Sequence, residues 1–194
     1  MIAGLILAAG ESSRMGRDKA LLPYRGRTFL ETIVDTLRAA GIERIAVILG
    51  HHAEEIRQAV KLAGVEFVIN AEYRRGQTSS LQAGLRALEH PEFEAVVLSL
   101  VDHPAVSVET VRALVAEYRQ TRAPVVIPVR RLQRGHPVVI ARALFAELLS
   151  LDANQAANTV TRKYRDATRF LETDDEGILF DVDGPETYER LETP

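Results

Sequence analysis

The stretch IAGLILAAGESSRMGRDK, residues 2–19, decides the fold. Its apolar run Ile2–Leu7 predicts a buried β-strand, and a polar loop with glycines follows. The next periodic segment, Phe29–Ala40, places apolar residues at helical spacing, and Gly41 marks its end, so we expect an amphipathic helix there. A buried strand, a glycine loop and a helix in this order form the first half of a βαβ unit.

The rest of the chain repeats this alternation of strands and helices. Such alternation predicts an α/β fold with a largely parallel sheet and helices on both of its faces. The sequence contains no internal repeat and no Pro/Gly-rich linker, so residues 1–194 are expected to form one domain. Further strands are predicted at Arg44–Leu49, Glu66–Ile69, Ala95–Val101, Val125–Val129, Val138–Ile140 and near Ile178–Val182. Further helices are predicted at Glu54–Leu62, Ser79–Leu88, Glu109–Arg119 with Ser107 as N-cap, Leu144–Ser150 and near Glu186–Leu191.

The composition excludes several classes of protein. With 24 Lys and Arg against 27 Asp and Glu, the formal net charge is −3, whereas a general nucleic-acid binder would carry a basic excess. The absence of cysteine excludes disulfides, thiolate zinc sites, iron–sulfur clusters and cysteine nucleophiles. The apolar start Met1–Ala9 is too short to span a bilayer and lacks the basic flank of a signal peptide. A cytoplasmic protein without a membrane partner is therefore expected.

The loop after the first strand carries groups that bind anions. Ala8, Ala9 and Gly10 are small enough for a ligand to approach the backbone closely. Arg14 can donate two hydrogen bonds to a phosphate, and Lys19 offers a compact positive charge. The spacing matches neither the Walker A motif nor the glycine fingerprint of dinucleotide-binding proteins. A plain turn with solvated charges is the disfavoured alternative, because it leaves the clustering of small and basic residues unexplained.

The pattern LAAGxSxRMGxxK, residues 7–19, resembles the signature of the MobA-like nucleotidyltransferases. The resemblance implies a three-layer α/β/α, Rossmann-like fold of the GT-A type with a mixed, mainly parallel sheet. The double alanine before the first glycine is similar to the molybdenum cofactor cytidylyltransferase branch of the family, which implies CTP as the nucleotide. The resemblance also implies that the base is read by the backbone of Leu7, Ala8, Ala9 and Gly10.

A second candidate nucleotide contact is the segment GQTSSL, residues 76–81. A glycine turn with hydroxyl side chains at a helix N-terminus is typical of capping, here by Thr78 or Ser79. Exposed N–H and O–H groups at such a terminus can also bind the base or the ribose of a nucleotide. The family has a similar Gly-x-x-x-Ser-Leu element, and this resemblance implies nucleotide contacts from Gly76 and Ser80.

Asp102 ends the most apolar predicted strand and is the first candidate metal ligand. An aspartate at a strand end often only starts a turn. Mg²⁺, however, is held by one or two carboxylates together with phosphate oxygens. An Asp-x-Pro element at this place is the metal ligand in the family, which implies that Asp102 binds Mg²⁺. His103, where the family usually has Gln or Met, is a candidate contact for the second substrate, with a partly exposed turn residue as the alternative.

The segment DVDGPE, residues 181–186, contributes the second candidate ligand. In a strand, residues two apart lie on one face, which places Asp181 and Asp183 together. The segment resembles the Asp-Ile-Asp-Thr-Pro element of the family, which implies that Asp183 is a further Mg²⁺ ligand. Capping of the last helix is the alternative. Asp181 is given no metal role, and Asp174 and Asp175 are interpreted as a solvated charge cluster.

The acceptor side is less defined by the sequence. The segment GHP, residues 135–137, resembles an element of the cytidylyltransferase branch, which implies acceptor contacts from Gly135 and His136. A structural role for this loop histidine is an equal alternative. Asn154–Arg162 departs from the Gly- and Arg-containing segment of the family, so the acceptor stays open. His51 and His52, which follow a predicted strand, are interpreted as ordinary turn residues.

The resemblance, together with these residues, implies a nucleotidyltransferase that moves NMP, expected to be CMP from CTP, onto a phosphorylated acceptor and releases pyrophosphate. Mg²⁺ at Asp102 and Asp183 would be the cofactor. Arg14 and Lys19 would hold the triphosphate and neutralise charge that develops during transfer. A phosphate monoester such as molybdopterin is ionised at neutral pH and needs no general base, and the sequence offers no obvious one. A molybdoenzyme that receives the cofactor is the implied protein partner.

Three other functions stay open. A cytidylyltransferase for a sugar- or polyol-phosphate would share the first loop and differ in its acceptor. A non-catalytic accessory protein would bind nucleotide without forming pyrophosphate, and the pair of metal carboxylates counts against it. A nicotinamide oxidoreductase of similar topology is the weakest alternative, because the dinucleotide glycine fingerprint is missing.

Overall fold

The computed structural model describes residues 1–152 and 154–192. The prediction of one domain over residues 1–194 also includes Ala153, Thr193 and Pro194, which lie outside the described residues. The strands are β1 Ile2–Ala8, β2 Pro23–Tyr24, β3 Arg27–Thr28, β4 Ile45–Leu49, β5 Glu66–Ile69, β6 Ala95–Leu100, β7 Val125–Arg130, β8 Gln133–Arg134, β9 Val138–Ala141 and β10 Arg169–Glu172. The helices are α1 Phe29–Ala39, α2 Ala53–Ala59, α3 Gln77–Ala87, α4 Val108–Thr121, α5 Phe145–Ser150, α6 Asn158–Lys163 and α7 Pro185–Glu192.

Two of the helices, α1 and α4, have N-terminal capping residues next to them in the sequence. Thr28 and Glu31 form a capping box at the start of α1. At α4 the hydroxyl of Ser107 accepts a hydrogen bond of 3.2 Å from the backbone N–H of Thr110, which confirms Ser107 as the predicted N-cap. Within the described residues, we find no helix of the length and apolar character needed to cross a membrane.

One large sheet runs through the described chain. Its strands lie in the order β10-β7-β9-β6-β1-β4-β5, and β8 pairs with β7. β1 is parallel to β4 and β6, β4 to β5, and β10 to β7, whereas β9 is antiparallel to both neighbours. The sheet is therefore mixed and mainly parallel, as predicted. Because the chain continues from β1 to β4 on one side and reaches β6 on the other, a crevice opens at the carboxyl end of β1.

Helices cover both faces of the sheet. Successive side chains of β1 alternate between two cores: Ile6 belongs to the core that contains Leu30 of α1, and Leu5 to the core that contains Leu85 of α3. Helices α1, α2 and α4 contribute to the first core, and α3, α5 and α6 to the second. This confirms the three-layer α/β/α architecture, in which a mainly parallel sheet buries both of its faces.

The predicted strand near Ile178–Val182 is wrong. A 3₁₀ turn, Glu176–Ile178, opens this segment, and the strand lies earlier, at β10. The carbonyl of Ile178 accepts a hydrogen bond of 3.0 Å from the backbone N–H of His136, and the N–H of Val182 donates to the carbonyl of Asp102 at 3.0 Å. Ile178 and Val182 are buried because the segment is tied to two loops rather than to a strand. Because this segment is not a strand, the spacing of two residues does not place Asp181 and Asp183 on one face.

Asp175 does not belong to a solvated charge cluster, so this expectation is also wrong. Its Oδ2 accepts hydrogen bonds from the backbone N–H and the hydroxyl of Ser107 at 2.9 and 2.8 Å, and from the hydroxyl of Thr110 at 2.7 Å. Its Oδ1 accepts one from the N–H of Gly177 at 2.8 Å. These bonds fasten the segment before α7 to the start of α4, whereas Asp174 is exposed.

Gly135 lets the loop between β8 and β9 pass directly against Ile178. A β-carbon at position 135 would lie 2.3 Å from the carbonyl oxygen of Ile178, so one of the two backbones would have to shift. We expect Gly135→Ala to lower the free energy of unfolding by about 1–3 kcal/mol, measured by urea denaturation. Gly184→Ala is the control, because a β-carbon there meets no described atom within 4 Å. Equal losses in the two variants would contradict the packing role of Gly135.

Candidate active site

A cavity of about 330 Å³ lies at the carboxyl ends of β1 and β6. Doubly wound sheets bind their ligands at this edge, and the volume is typical of small-molecule sites. Asp102 and Asp183, the predicted metal ligands, line this cavity. It is also lined by every residue for which nucleotide contacts are predicted: Leu7, Ala8, Ala9, Gly10, Arg14, Lys19, Gly76 and Ser80.

The loop between β1 and the 3₁₀ turn Lys19–Leu21 places the basic side chains. Ser12 has a left-handed conformation with φ 50°, and its hydroxyl accepts a hydrogen bond of 3.1 Å from the backbone N–H of Lys19. The carbonyl of Ser12 accepts another from the N–H of Met15 at 2.9 Å. The loop thus folds back on itself. Lys19 is largely buried in the cavity, with 13% of its side chain exposed, whereas 73% of the Arg14 side chain is exposed.

The ammonium group of Lys19 lies between two carboxylates. Its Nζ is 2.8 Å from Oδ1 of Asp183 and 3.4 Å from Oδ2 of Asp102. The guanidinium group of Arg14 is 3.3 Å from the other oxygen of Asp183. The hydrogen bond from Lys19, aided by both positive charges, lowers the pKa of Asp183. A site of this kind can take up a triphosphate and a dication together, because the basic groups can move to the phosphates while the cation replaces them at the carboxylates.

Asp102 is held ionised by its neighbours. Burial by itself raises the pKa of Asp102, but the hydrogen bond from His103 and the charges of His103 and Lys19 outweigh burial and lower this pKa below its usual value. Nδ1 of His103 lies 2.9 Å from Oδ1 of Asp102, so the ring orients the carboxylate and leaves Oδ2 on the side of Lys19. Asp102 therefore presents an ionised and oriented carboxylate to the cavity.

Asp181, for which the sequence predicts no metal role, is a third carboxylate at this place. Ligand atoms of Asp102, His103 and Asp181 all lie within 4.8 Å of one another. Burial raises the pKa of Asp181, and the negative charges of Asp102 and Asp183 raise it further. Crowded carboxylates of this kind are stabilised by a cation between them. The Asp-x-Asp spacing at residues 181–183 was the sequence signal for a second metal carboxylate. Which of the two acids faces Asp102 depends on the backbone path of an irregular segment.

The donor set fits a hard dication. Mg²⁺ and Mn²⁺ prefer oxygen ligands, and nucleotide sites hold them by one or two carboxylates, with phosphate oxygens and water completing the shell. Asp102 can supply one carboxylate, and Asp183 or Asp181 the second. Since Lys19 neutralises Asp102 and Asp183, a cation at this place competes with the ammonium group.

Asn70, which no sequence motif singled out, organises the wall that α3 forms. It follows β5 and is buried. Its Nδ2 donates hydrogen bonds of 2.9 and 3.0 Å to the hydroxyls of Ser79 and Ser80, and its Oδ1 accepts one from the N–H of Glu72 at 3.0 Å. Because the Ser80 hydroxyl accepts from Asn70, it can donate its own proton to a ligand in the cavity. Asn70 is therefore a positioning residue for Ser80.

The hydroxyls at the start of α3 do not cap the helix, so the capping alternative for Thr78 and Ser79 is wrong. In the described structure α3 has no side-chain hydrogen bond at its N-cap, Gly76. Ser79 donates instead to the carbonyl of Gly76 at 2.8 Å, and Thr78 donates to the carbonyl of Gln155. The second contact places part of the segment 154–162 next to the α3 wall of the cavity.

The residues predicted on the acceptor side lie beside the cavity. The rings of His103 and His136 meet edge to face with centroids 5.3 Å apart, and both border a narrow cleft that shares Leu100 with the cavity. Burial and the nearby His103 lower the pKa of His136 to about 4, so this imidazole is neutral at pH 7. Gly135 packs against the carbonyl of Ile178. Their contacts with an acceptor stay predictions.

Comparison with known proteins gives the family. A sequence profile of the MobA-like NTP transferase domain matches residues 4–168. The chain belongs to the MobA-like NTP transferase family. This is a family of nucleotidyltransferases, and the match confirms the resemblance that residues 7–19 suggested.

Relatives of this MobA-like protein differ in function. The nicotine blue oxidoreductase of Paenarthrobacter nicotinovorans is 34% identical over 197 residues, which cover 98% of this chain and 96% of that protein. A probable molybdenum cofactor guanylyltransferase of Opitutus terrae is 35% identical over 105 residues, which cover 54% of this chain and 50% of that protein. Sequence similarity over the full length of the chain therefore supports the same family.

The fold of the MobA-like chain is also found in solved structures. Rv0371c of Mycobacterium tuberculosis H37Rv superimposes with a TM-score of 0.85 and 33% identity, covering 98% of this chain and 96% of that one. The complex of Rv0371c with manganese superimposes with a TM-score of 0.81 and 31% identity, covering 98% and 97% of the two chains. A protein of similar structure has thus been solved with manganese.

Proposed function

We propose that this MobA-like protein transfers CMP from CTP onto a phosphorylated acceptor, releases pyrophosphate, and does so within a single domain. The observation that carries the proposal is the contact of Lys19 with Asp102 and Asp183 at the cavity after β1. A triphosphate and a dication together complement these charges. CTP is proposed from the pair Ala8-Ala9, and molybdopterin from the resemblance to the cytidylyltransferase branch.

In this proposal the side chains position the substrates and neutralise charge. Lys19 moves from the carboxylates to the α-phosphate, where negative charge develops in the transition state. Arg14, which is exposed at the rim, binds the departing pyrophosphate. Asp102 and Asp183 would hold Mg²⁺, which supplies charge neutralisation at the phosphate oxygens. His103 keeps the carboxylate of Asp102 oriented during the reaction.

A phosphate monoester suits this arrangement as the acceptor. Its attacking oxygen is ionised at neutral pH, so no side chain has to remove a proton. We propose that the acceptor approaches the cavity from the side of His103, because His103 contacts Asp102, which lines the cavity. Gly135 contributes by keeping the loop that carries His136 close to Ile178.

A pyrophosphate-release assay tests the proposal. The protein is incubated with Mg²⁺, with each NTP in turn, and with molybdopterin, a sugar phosphate or a polyol phosphate as acceptor. We expect release with CTP and molybdopterin to exceed release with every other pair by at least about tenfold. Excess chelator should abolish the release, and Mn²⁺ should restore it.

Each other result of this assay supports a different function. Turnover with only a sugar- or polyol-phosphate would replace molybdopterin as the acceptor, and a preference for GTP would replace CTP. Nucleotide binding without pyrophosphate release in any combination would favour an accessory protein that does not catalyse transfer.

An oxidoreductase is the second candidate function, because the nicotine blue oxidoreductase of Paenarthrobacter nicotinovorans is related over nearly the full chain. The missing dinucleotide glycine fingerprint counts against it. Oxidation of NADH or NADPH with an organic electron acceptor, in the absence of any pyrophosphate release, would favour this function over nucleotidyl transfer.

A further inference from the structure

The loop before Lys19 and the turn after β4 bring a carboxylate and two imidazoles together. Asp18 precedes Lys19 directly, and His51 and His52 follow β4. Ligand atoms of Asp18, His51 and His52 all lie within 4.8 Å of one another. The proposed transfer reaction uses none of these three side chains, so their convergence needs a separate explanation.

The spacing of these atoms fits a tetrahedral dication. Nδ1 of His52 lies 3.0 Å from Oδ2 of Asp18, and Oε2 of Glu55 lies 3.9 Å from the same nitrogen. With bonds of about 2.0–2.1 Å, the ligands of a tetrahedral Zn²⁺ are about 3.3 Å apart. Small rotations of these side chains would therefore complete a metal site.

The surroundings orient both imidazoles. Nδ1 of His51 lies 3.3 Å from the hydroxyl of Tyr73, an arrangement that leaves Nε2 of His51 to bind a metal. The ring of His52 lies against that of His51, with centroids 3.7 Å apart. His52 also has φ 48°, a left-handed conformation that is costly for a residue with a β-carbon and is often found at functional sites.

We propose that Asp18, His51 and His52 bind a transition-metal dication, with Glu55 able to join them. Imidazole nitrogens together with a carboxylate suit Zn²⁺ or Co²⁺, whereas Mg²⁺ prefers oxygen alone. The side chain of His52 is 45% exposed, which leaves an entry path and a position for water. Because Asp18 adjoins Lys19, a metal here would fasten the loop that carries Lys19 to the start of α2.

Calorimetric titration with Zn²⁺ tests the site in the full chain. The protein is freed of metals by a chelator and titrated in excess Mg²⁺, which occupies the carboxylates proposed for magnesium. We expect one Zn²⁺ per chain, and a loss of affinity of at least about tenfold for His51→Gln and for His52→Gln. His90→Gln is the matched control, because Nδ1 of His90 also lies beside a carboxylate, 3.2 Å from Oε1 of Glu92, but in a pair rather than a cluster of three. The Zn²⁺ affinity of the His90→Gln variant should equal that of the native chain.

A spectroscopic measurement on the unaltered chain keeps the test independent of how the variants fold. In the same excess of Mg²⁺, Co²⁺ should broaden the imidazole proton resonances of two of the five histidines, His51 and His52. Unchanged Zn²⁺ affinity in both glutamine variants, or Co²⁺ that leaves these two imidazoles unaffected, would overturn the proposal. Zn²⁺ binding that is lost in Asp183→Asn but kept in His52→Gln would also overturn it, by assigning the metal to the other site.

Discussion

Asp102→Asn slows pyrophosphate release by at least about two orders of magnitude if the proposed transfer is correct. The amide has nearly the same shape as the carboxylate but no charge, and the contacts of Asp102 with His103 and Lys19 lower the pKa of the native acid so that it is ionised at neutral pH. The rate is measured at saturating CTP and acceptor, and Mn²⁺ affinity with nucleotide present is measured in parallel. Both should fall, because the same carboxylate is proposed to hold the metal.

Asp174→Asn is the control for this substitution, since Asp174 is an exposed acid outside the cavity. It should leave the rate and the metal affinity unchanged. Thermal unfolding of both variants shows whether the fold persists. If Asp102→Asn unfolds like the native chain and still releases pyrophosphate at the native rate, Asp102 has no part in the chemistry.

Lys19→Met has the second large effect, and it changes two measurements in opposite directions. The rate of pyrophosphate release should fall by at least about two orders of magnitude, because the α-phosphate loses its neutralising charge. The affinity for Mn²⁺ in the absence of nucleotide should rise, because the ammonium group no longer competes for Asp102 and Asp183, to which it lies at 3.4 and 2.8 Å. Electron paramagnetic resonance of free Mn²⁺ measures that affinity.

Lys61→Met removes an exposed lysine elsewhere and serves as the matched control. Neither the rate nor the affinity for Mn²⁺ should change in it. A Lys19→Met variant with native activity would remove Lys19 from the mechanism. One that loses activity but binds Mn²⁺ no better than the native chain would show that metal and ammonium do not share these carboxylates.

Much of the fold could be predicted because its signals are local. β1 and β4 are continuous apolar runs, and α1 and α4 carry their caps in their own sequence, so their bounds agree with the predictions within about two residues. β10 was missed because three of its four residues are exposed, and α6 because Val160 is its one buried residue. The apolar residues Ile178 and Val182 predict a strand, but an apolar pair does not distinguish a buried loop from a strand in a sheet.

In the candidate site too, residues in local motifs could be predicted, whereas residues that act through long-range contacts could not. Arg14 and Lys19 were found because they belong to one contiguous motif, and Asp102 because it ends an apolar strand. Asn70 and Asp181 were not assigned roles, because their importance lies in their contacts with Ser80 and Asp102 rather than in any pattern along the chain.

The amino-acid sequence by itself determined the alternation of strands and helices, the family, and which loops carry small, basic and acidic residues. Apolar periodicity and short motifs extend over only a few residues, so they can be interpreted without the fold. Only the tertiary structure decided which charges meet. Lys19 is 83 residues from Asp102 and 164 from Asp183, and all three come together because β1 lies beside β6 and the segment before α7 passes over the same edge. Ion pairing and metal coordination act over a few ångströms, and distances of that size are set by packing rather than by order in the chain.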